Sequence, residues 1–183
     1  MVPTVQWHEG AVRLIDQSRL PGTVAFLDCR DVESVAFAIR ELKVRGAPAI
    51  GVTAAMGVAL GAQTIASTDY ESFAKELLAI CDRLAATRPT AVNLFWAIDR
   101  MKQKLASLRA EPIAAIKAAL WKESQTILEE DIALCRAIGR HGAALITKGQ
   151  TILTHCNAGA LATAGYGTAL GVIRAGSRAK RSR

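Results

Sequence analysis

The sequence predicts an α/β protein in which an N-terminal β-hairpin and a helical bundle precede the first βα unit of an incomplete parallel sheet. Three observations predict this class. Short β-prone runs come first, apolar residues then recur at helical spacing, and a strand, a glycine-containing loop and an Ala/Gly-rich helix close the series. The chain has 183 residues, of which 51% are hydrophobic, so it can bury a sizeable core.

The first elements along the chain are predicted to be strands. Residues 12–16 and 23–27 are β-prone, and Leu-Pro-Gly at residues 20–22 is typical of a turn, so we expect a hairpin. At Asp31 the pattern changes, because this side chain can cap a helix whose apolar positions recur at helical spacing. That helix is expected to end near Gly46, since glycine commonly follows a helix C-terminus.

A long uncharged stretch follows. Residues 47–66 carry no charge over twenty positions, which is long enough to cross a bilayer. Ala and Gly dominate it, whereas the Leu, Ile and Phe residues that favour membrane insertion are sparse. We therefore expect no membrane span but a helix buried on all sides, with Pro48 in its first turn and Gly57 and Gly61 allowing another backbone to approach.

Three more helices are predicted, each bounded by a cap or a proline. They cover residues 70–84, 91–108 with Thr90 as the cap, and 112–138. The pattern changes over residues 139–149. We therefore divide the chain into an N-terminal hairpin and helical domain at residues 1–145, the start of an incomplete parallel-sheet domain at 146–175, and a divergent basic tail at 176–183.

The last predicted unit is a strand at residues 151–154, a loop at 155–159 and a helix at 161–175. Cys156 lies at the end of the strand, where open-sheet proteins place ligands, and a thiol near a helix N-terminus can serve as base or nucleophile. A buried, inert cysteine is the alternative, and position alone does not separate the two. His155 points to the opposite face of an extended chain, which favours a structural role.

Two arginines lie at helix junctions. Arg45 precedes Gly46, Ala47 and the amide-rich start of the next helix, which is a possible phosphate clamp. Arg88 stands in a similar position before Pro89. A cation that complements the C-terminal dipole of the preceding helix is the alternative for both. Two such junctions and a cysteine loop hint at one anion site, but their spacing cannot show that they converge.

The charge and the cysteine content limit the partners and the cellular location that we expect. The formal net charge is +7, and Arg178, Lys180, Arg181 and Arg183 supply four of these charges at one end of the chain. Few aromatic residues are available for base stacking, so no nucleic-acid partner is expected. The four cysteines form no Cys-x-x-Cys pair of the kind that zinc or redox sites use, and no signal peptide is recognisable, so we expect a cytoplasmic location.

Three segments resemble signature motifs of methylthioribose-1-phosphate isomerases. They are VRGAPAIG at residues 44–51, TRPTAVNL at 87–94 and ILTHCNAGAL at 152–161. The resemblance covers about residues 5–175 and implies a hairpin and helical domain, a Rossmann-like second domain and a substrate cleft between them. It further implies a homodimer without metal or cofactor, a phosphorylated sugar held by Arg45, Gly46, Ala47 and Arg88, and a catalytic Cys156.

The resemblance also implies a reaction. Such enzymes are aldose–ketose isomerases of methionine salvage that convert 5-methylthioribose 1-phosphate to 5-methylthioribulose 1-phosphate, with an aspartate of the second domain as acid–base partner of the cysteine. No aspartate follows Cys156 in this sequence. Because general acid catalysis contributes about a hundredfold to ten-thousandfold, we expect little or no activity from this polypeptide alone, as for a truncated chain.

Two related classes are alternatives. One is an isomerase acting on ribose 1,5-bisphosphate, although the Arg-Gly-Ala-Pro-Ala and Asn-Ala-Gly-Ala-Leu segments favour the methylthio sugar. The other is a non-catalytic regulatory subunit like those of initiation factor 2B, which needs no thiol at the position of Cys156. A truncated pseudoenzyme that only associates with partners is a further possibility.

Overall fold

The computed structural model describes residues 2–181, and of residues 178–181 it describes the backbone alone. Within this range the chain is an α/β protein with one three-stranded antiparallel sheet and six α-helices. The strands are β1 (Val5–His8), β2 (Ala11–Ile15) and β3 (Phe26–Cys29). The helices are α1 (Val32–Arg40), α2 (Ala47–Thr64), α3 (Tyr70–Ala85), α4 (Val92–Ala106), α5 (Ile113–Ala143) and α6 (Ala169–Arg181). Short 3₁₀ turns lie at Gln17–Arg19 and Ala160–Ala162.

The sheet has the order β1-β2-β3. The predicted hairpin is confirmed as the antiparallel pair β2 and β3, in which Leu14 lies opposite Leu27. Across the same pair Arg13 donates two hydrogen bonds to the carboxylate of Asp28, at 2.6 and 2.7 Å. The strand β1 was not predicted, because its four residues are too few to show a clear alternation of apolar and polar side chains.

The predicted buried helix is confirmed as α2, the centre of the core. Its length and composition would suit a membrane span, yet 78% of it is buried inside the protein. A Cβ atom on Gly57 would lie 2.8 Å from the side chain of Val35, and one on Gly61 would lie 2.7 Å from that of Val32. The two glycines therefore allow α1 to pack directly on α2.

Two helix boundaries differ from the prediction. Asp31 caps α1 through the N–H of Ser34 at 2.7 Å, as expected, but the helix ends at Arg40 and not near Gly46. It ends early because Leu42 adopts a left-handed conformation with a φ of 55°. Thr90 does not cap α4, since Ala91 is the N-cap and makes no side-chain hydrogen bond there.

The helix α5 continues to Ala143, past the predicted end at residue 138. Gly139 and Gly142 do not stop it, because they lie where α6 packs against it. A Cβ atom on Gly139 would lie 3.1 Å from the carbonyl oxygen of Gly171, and one on Gly142 would lie 2.5 Å from the side chain of Val172. These glycines are positions of close helix packing and not of chain reversal.

The predicted strand at residues 151–154 is not observed. The segment has no regular secondary structure, because none of the three described strands lies beside it to form a ladder. The helix predicted to begin at residue 161 begins at Ala169, after a 3₁₀ turn and a loop in which Gly167 has a φ of 91°. Most of the predicted basic tail continues α6 to Arg181, and residues 182 and 183 lie outside the described range.

Candidate functional site

The five residues singled out from the sequence line one cavity of about 470 Å³. They come from three distant parts of the chain and are Arg45, Gly46, Ala47, Arg88 and Cys156. The first three belong to the junction of α1 and α2, Arg88 to the junction of α3 and α4, and Cys156 to the loop before α6. The fold therefore brings both arginine junctions and the cysteine loop to the same depression.

Neither arginine is neutralised by a carboxylate in the part of the chain that the structure describes. Arg45 is exposed, and its Nε donates a hydrogen bond to the carbonyl oxygen of Leu42 at 3.2 Å. Arg88 is half-buried. The dipole of a helix acts mainly within its last turn. Because α1 ends at Arg40, Arg45 lies outside that turn. Two guanidinium groups without acidic partners give the cavity a positive potential.

The start of α2 forms another wall of the cavity. Gly46 is the N-cap of α2 and offers no side chain to the free N–H groups of the first turn. The first helical hydrogen bond runs from the N–H of Ile50 to the carbonyl oxygen of Gly46 at 2.9 Å. Before Ile50, Pro48 has no N–H group, and Ala49 is buried and is not among the lining residues of the cavity. The N–H of Ala47 has no partner within the helix and belongs to the cavity wall, and such a group is suited to hold an anion.

Arg88 is held in place by the chain on both sides of it. The buried Thr87 donates its hydroxyl proton to the carbonyl oxygen of Leu84 at 2.6 Å. The N–H of Ala91 then donates to the carbonyl oxygen of Arg88 at 3.0 Å. A tight turn thus connects α3 to α4 and directs Arg88 into the cavity.

Cys156 is the accessible thiol of this protein. It is exposed, whereas Cys29, Cys81 and Cys135 are buried. Burial raises the pKa of the Cys29 and Cys81 thiols to about 11, which keeps both protonated at neutral pH. Cys156 is therefore not a buried cysteine, and its role in chemistry stays a prediction. Its φ of 64° is uncommon for a residue other than glycine, and such conformations often occur at functional sites. His155 does not line the cavity.

Hydrogen bonds fix the loop that follows Cys156. The hydroxyl oxygen of Thr163 accepts the N–H groups of Gly165 and Gly167 at 3.2 and 3.0 Å. The carbonyl oxygen of Ala158 accepts the N–H of Thr168 at 3.0 Å. These hydrogen bonds connect residues within the loop and fix its conformation. Thr163 and Thr168 of this loop line the cavity.

The same loop is tied to the sheet and to α5. Thr4 donates to the carbonyl oxygen of Ala160, and Gln17 donates to that of Leu161, both at 2.7 Å. The carboxylate of Asp131 accepts the N–H of Ala164 at 2.7 Å. Burial raises the pKa of Asp131, and the hydrogen bond from Ala164 opposes that effect in part.

Three polar residues of the cavity wall were not predicted from the sequence. They are Asn157, Thr163 and Thr168. Thr168 immediately precedes α6, a position where hydroxyl side chains are favoured, so a cap signal for it was present in the sequence. No comparable local signal marks Asn157 or Thr163. Over the described residues, no group of three or more His, Cys, Asp or Glu side chains could hold a metal ion.

The fold and the cavity define an α/β protein with a cationic, thiol-containing depression at a helix N-terminus. Residues 43–183 match the initiation factor 2 subunit family, and the chain belongs to that family. The resemblance inferred from the three sequence motifs is thereby confirmed, since several relatives are named methylthioribose-1-phosphate isomerase.

The curated relatives are similar over nearly the whole chain. The methylthioribose-1-phosphate isomerase of Trichlorobacter lovleyi is 59% identical over 176 residues, which are 96% of this chain and 51% of that protein. The protein of the same name from Geobacter sulfurreducens is 58% identical over 172 residues, 94% of this chain and 50% of its own length. The chain thus spans about half the length of these relatives.

Two solved structures share the fold. The 5-methylthioribose 1-phosphate isomerase of Pyrococcus horikoshii OT3 superposes with a TM-score of 0.92 at 38% identity, over 98% of this chain and 50% of that one. Subunit delta of the translation initiation factor eIF-2B from A. fulgidus superposes with a TM-score of 0.86 at 40% identity, over 98% and 52% of the two chains.

Proposed function

We propose that this chain supplies the phosphate-binding part of an aldose–ketose isomerase site for 5-methylthioribose 1-phosphate, with 5-methylthioribulose 1-phosphate as product. The observation that carries the proposal is the single cavity lined by Arg45, Gly46, Ala47, Arg88 and Cys156. The names of the relatives from Trichlorobacter lovleyi and Pyrococcus horikoshii support this choice of substrate.

The phosphate is assigned to the arginine side of the cavity. Guanidinium groups form short, charge-assisted hydrogen bonds with phosphate oxygens, and Arg45 and Arg88 have no carboxylate partner in the described range. The N–H groups at the start of α2 add partial positive charge on the same side. At Gly46 the absence of a side chain leaves the backbone open to the ligand.

The sugar is assigned to the cysteine side. The phosphate of a sugar 1-phosphate blocks the anomeric carbon, so the ring must open before a hydrogen can move from C2 to C1. Cys156 is accessible and lines the cavity, which supports a catalytic role for its thiol at the sugar. Residues 157–183 contain no aspartate or glutamate, so the acid–base carboxylate expected from the resemblance is not supplied by them. We therefore propose that the 183 residues bind the sugar phosphate but turn it over little by themselves.

The finer architecture is part of the same proposal. Residues 151–155 have no regular secondary structure and Leu153 is 96% exposed, so its apolar side chain is free to pack in a Rossmann-like parallel sheet of a second domain that begins at residue 146. In this scheme residues 1–145 form the N-terminal domain, and residues 146–175 open the second domain. A homodimer and a cytoplasmic location complete the proposal.

A regulatory subunit without isomerase activity is the second candidate. The TM-score of 0.86 with subunit delta of eIF-2B favours it. The exposed thiol in the cavity favours the enzyme, because a purely regulatory subunit needs no cysteine there.

Isothermal titration calorimetry tests the proposal. Inorganic phosphate and 5-methylthioribose 1-phosphate are titrated into the wild-type chain and into the variants Arg45→Ala and Arg88→Ala. A hydrogen bond to a charged group contributes about 1.5–3 kcal/mol, so each variant should bind the sugar phosphate about tenfold more weakly or worse. Arg40→Ala is the matched control, since Arg40 ends α1 and does not line the cavity. The proposal is wrong if the wild type binds neither ligand, or if all three variants bind as the wild type does.

A further inference from the structure

A separate cavity of about 530 Å³, the α5 cavity, lies between the N-terminal segment, α5 and the loop that precedes α6. Within the described range it shares no lining residue with the cavity around Cys156. We infer that the α5 cavity binds a small organic phosphate through Arg136 and Arg140, and that the bound ligand stabilises the loop that follows Cys156. The inference goes beyond the proposed function, because it uses other residues and another ligand.

Two arginines of α5 supply the positive charge of this cavity. Arg136 and Arg140 are four residues apart, so they lie on the same face of the helix, one turn from each other. Both are exposed, and neither forms an ion pair with a carboxylate in the described part of the chain. A phosphate group carries about two negative charges and several acceptor oxygens, so it can accept hydrogen bonds from both guanidinium groups.

Tyr166 is a firmly held part of the cavity wall. Its ring lies where α5 and α6 cross, since a Cβ atom on Gly139 or on Gly171 would lie 3.0 Å from the ring. The guanidinium of Arg174 lies over the same ring, 5.4 Å from its centre, and donates to the carbonyl oxygen of Tyr166 at 2.7 Å. The phenol O–H and the backbone N–H of Tyr166 donate to no group of the described residues. Both donors are therefore available to an anion.

The remaining wall suits the organic part of a ligand. Val2, Pro3 and Ile132 line the cavity with apolar side chains. Sites for small organic molecules measure about 300–1,000 Å³ and combine such apolar lining with a few polar groups, whereas a free phosphate ion needs far less space. The volume and the mixed lining thus favour an organic phosphate over the inorganic ion.

The loop at residues 157–168 contributes to the walls of both cavities. Thr163 lines the Cys156 cavity, and Gly165, two residues later, lines the α5 cavity. The hydroxyl oxygen of Thr163 accepts the N–H of Gly165 at 3.2 Å, so one hydrogen bond joins the two walls. A ligand that contacts both α5 and Tyr166 binds the loop in this position, and it therefore stabilises that position by mass action.

Isothermal titration calorimetry tests the site with inorganic phosphate and phenyl phosphate as probes. The parent for these experiments is the full chain with Arg45→Ala and Arg88→Ala, in which the Cys156 cavity competes less for the probes. Phenyl phosphate should bind the parent, and more tightly than inorganic phosphate does. Adding Arg136→Gln and Arg140→Gln should weaken binding of phenyl phosphate by about tenfold or more, because hydrogen bonds to charged groups are lost.

Adding Lys75→Gln and Lys122→Gln to the parent is the matched control. Both lysines are exposed and do not line the cavity, and their loss changes the net charge by the same amount. This control should bind phenyl phosphate as the parent does. Absence of binding in the parent, or equal losses in the arginine and lysine variants, would overturn the inference without bearing on the sugar-phosphate site. Equal affinities of the parent for the two probes would overturn the assignment of an organic ligand.

Hydrogen exchange followed by mass spectrometry tests the effect on the loop. The N–H groups of Gly165 and Gly167 are bonded to Thr163, so they exchange when the loop opens. Phenyl phosphate at ten times its Kd should slow their exchange in the parent by about tenfold, whereas exchange in α3 should not change. Arg136→Gln with Arg140→Gln should abolish this slowing. Binding of phenyl phosphate without slower exchange at residues 157–168 would overturn the coupling to the loop.

Discussion

Gly46 lies directly against Ala162. A Cβ atom on Gly46 would come within 2.4 Å of both the Cα atom and the carbonyl oxygen of Ala162, a separation that real atoms do not adopt. This contact joins the start of α2, which carries the free N–H groups, to the 3₁₀ turn that follows the cysteine loop. The arginine side and the thiol side of the cavity are therefore held together at a position where only glycine fits.

The first prediction concerns this contact. Gly46→Ala should destabilise the protein by about 1–3 kcal/mol for the unfavourable φ, and by more because the turn at Ala162 must move. The control is Gly10→Ala, since Gly10 also has a positive φ, 75°, but a Cβ atom there would meet nothing within 4 Å. Urea unfolding measures both. Gly46→Ala should also weaken phosphate binding, and equal losses of stability in the two variants would contradict the steric argument.

Much of the fold could be predicted from local sequence. The cap at Asp31, the uncharged helix α2 and the hairpin of β2 and β3 each depend on residues close together in the chain. The boundaries that differed depend on contacts between distant segments. Gly139 continues a helix because α6 packs there, and residues 151–154 form no strand because pairing needs a neighbouring strand.

The candidate site was predictable in its parts but not in its assembly. Helix junctions and a glycine-containing loop suggested Arg45, Arg88 and Cys156 but left alternatives open, and the resemblance to the isomerases named them as site residues. Their meeting in one cavity depends on tertiary packing, such as the contact of Gly46 with Ala162, which no local pattern encodes. Asn157 and Thr163 were missed for the same reason, since only the folded loop brings them to the cavity wall.

The second prediction concerns thiol reactivity. Iodoacetamide should modify Cys156 first, because it is exposed while the other three cysteines are buried. Peptide mapping by mass spectrometry identifies the modified residue. Inorganic phosphate should slow the reaction by occupying the cavity. Cys156→Ser should remove the fast phase and leave only slow modification, and a fast phase that persists in this variant would show that a buried cysteine is accessible.

The third prediction concerns alkaline stability. Burial raises the pKa of Cys81 from its ordinary value of 9.0 to about 11, so the unfolded chain loses this proton at lower pH than the folded protein does. The thiol therefore contributes stability that is complete below pH 9 and lost as the pH rises to about 11, by about 2–3 kcal/mol. Urea unfolding at pH 8 and pH 11 should show a smaller decline in Cys81→Ala than in the wild type. Cys156→Ala is the control and should decline as the wild type does.

The fourth prediction concerns Asp131, which connects α5 to the loop of the cavity. Because burial raises its pKa above 3.8, ionisation is easier in the unfolded chain than in the folded protein. Stability from this group is therefore present below pH 3.8 and decreases as the pH rises through the folded pKa. Asp131→Asn stays neutral and keeps an oxygen that accepts the N–H of Ala164. In urea unfolding, the free energy of unfolding of Asp131→Asn minus that of the wild type should be larger at pH 7 than at pH 3.

The same substitution at Asp69 should have the opposite effect. Asp69 caps α3, and the hydrogen bond from the N–H of Ser72 lowers its pKa. Its ionised form therefore stabilises the folded protein, so Asp69→Asn should lose stability at pH 7 relative to pH 3. Asp131→Ala measures the contribution of the hydrogen bond to stability. It leaves the N–H of Ala164 without its acceptor and should lower the free energy of unfolding by about 1–3 kcal/mol. If the two asparagine variants respond to pH with the same sign, the hydrogen bond from Ala164 outweighs burial, and burial does not govern the ionisation of Asp131.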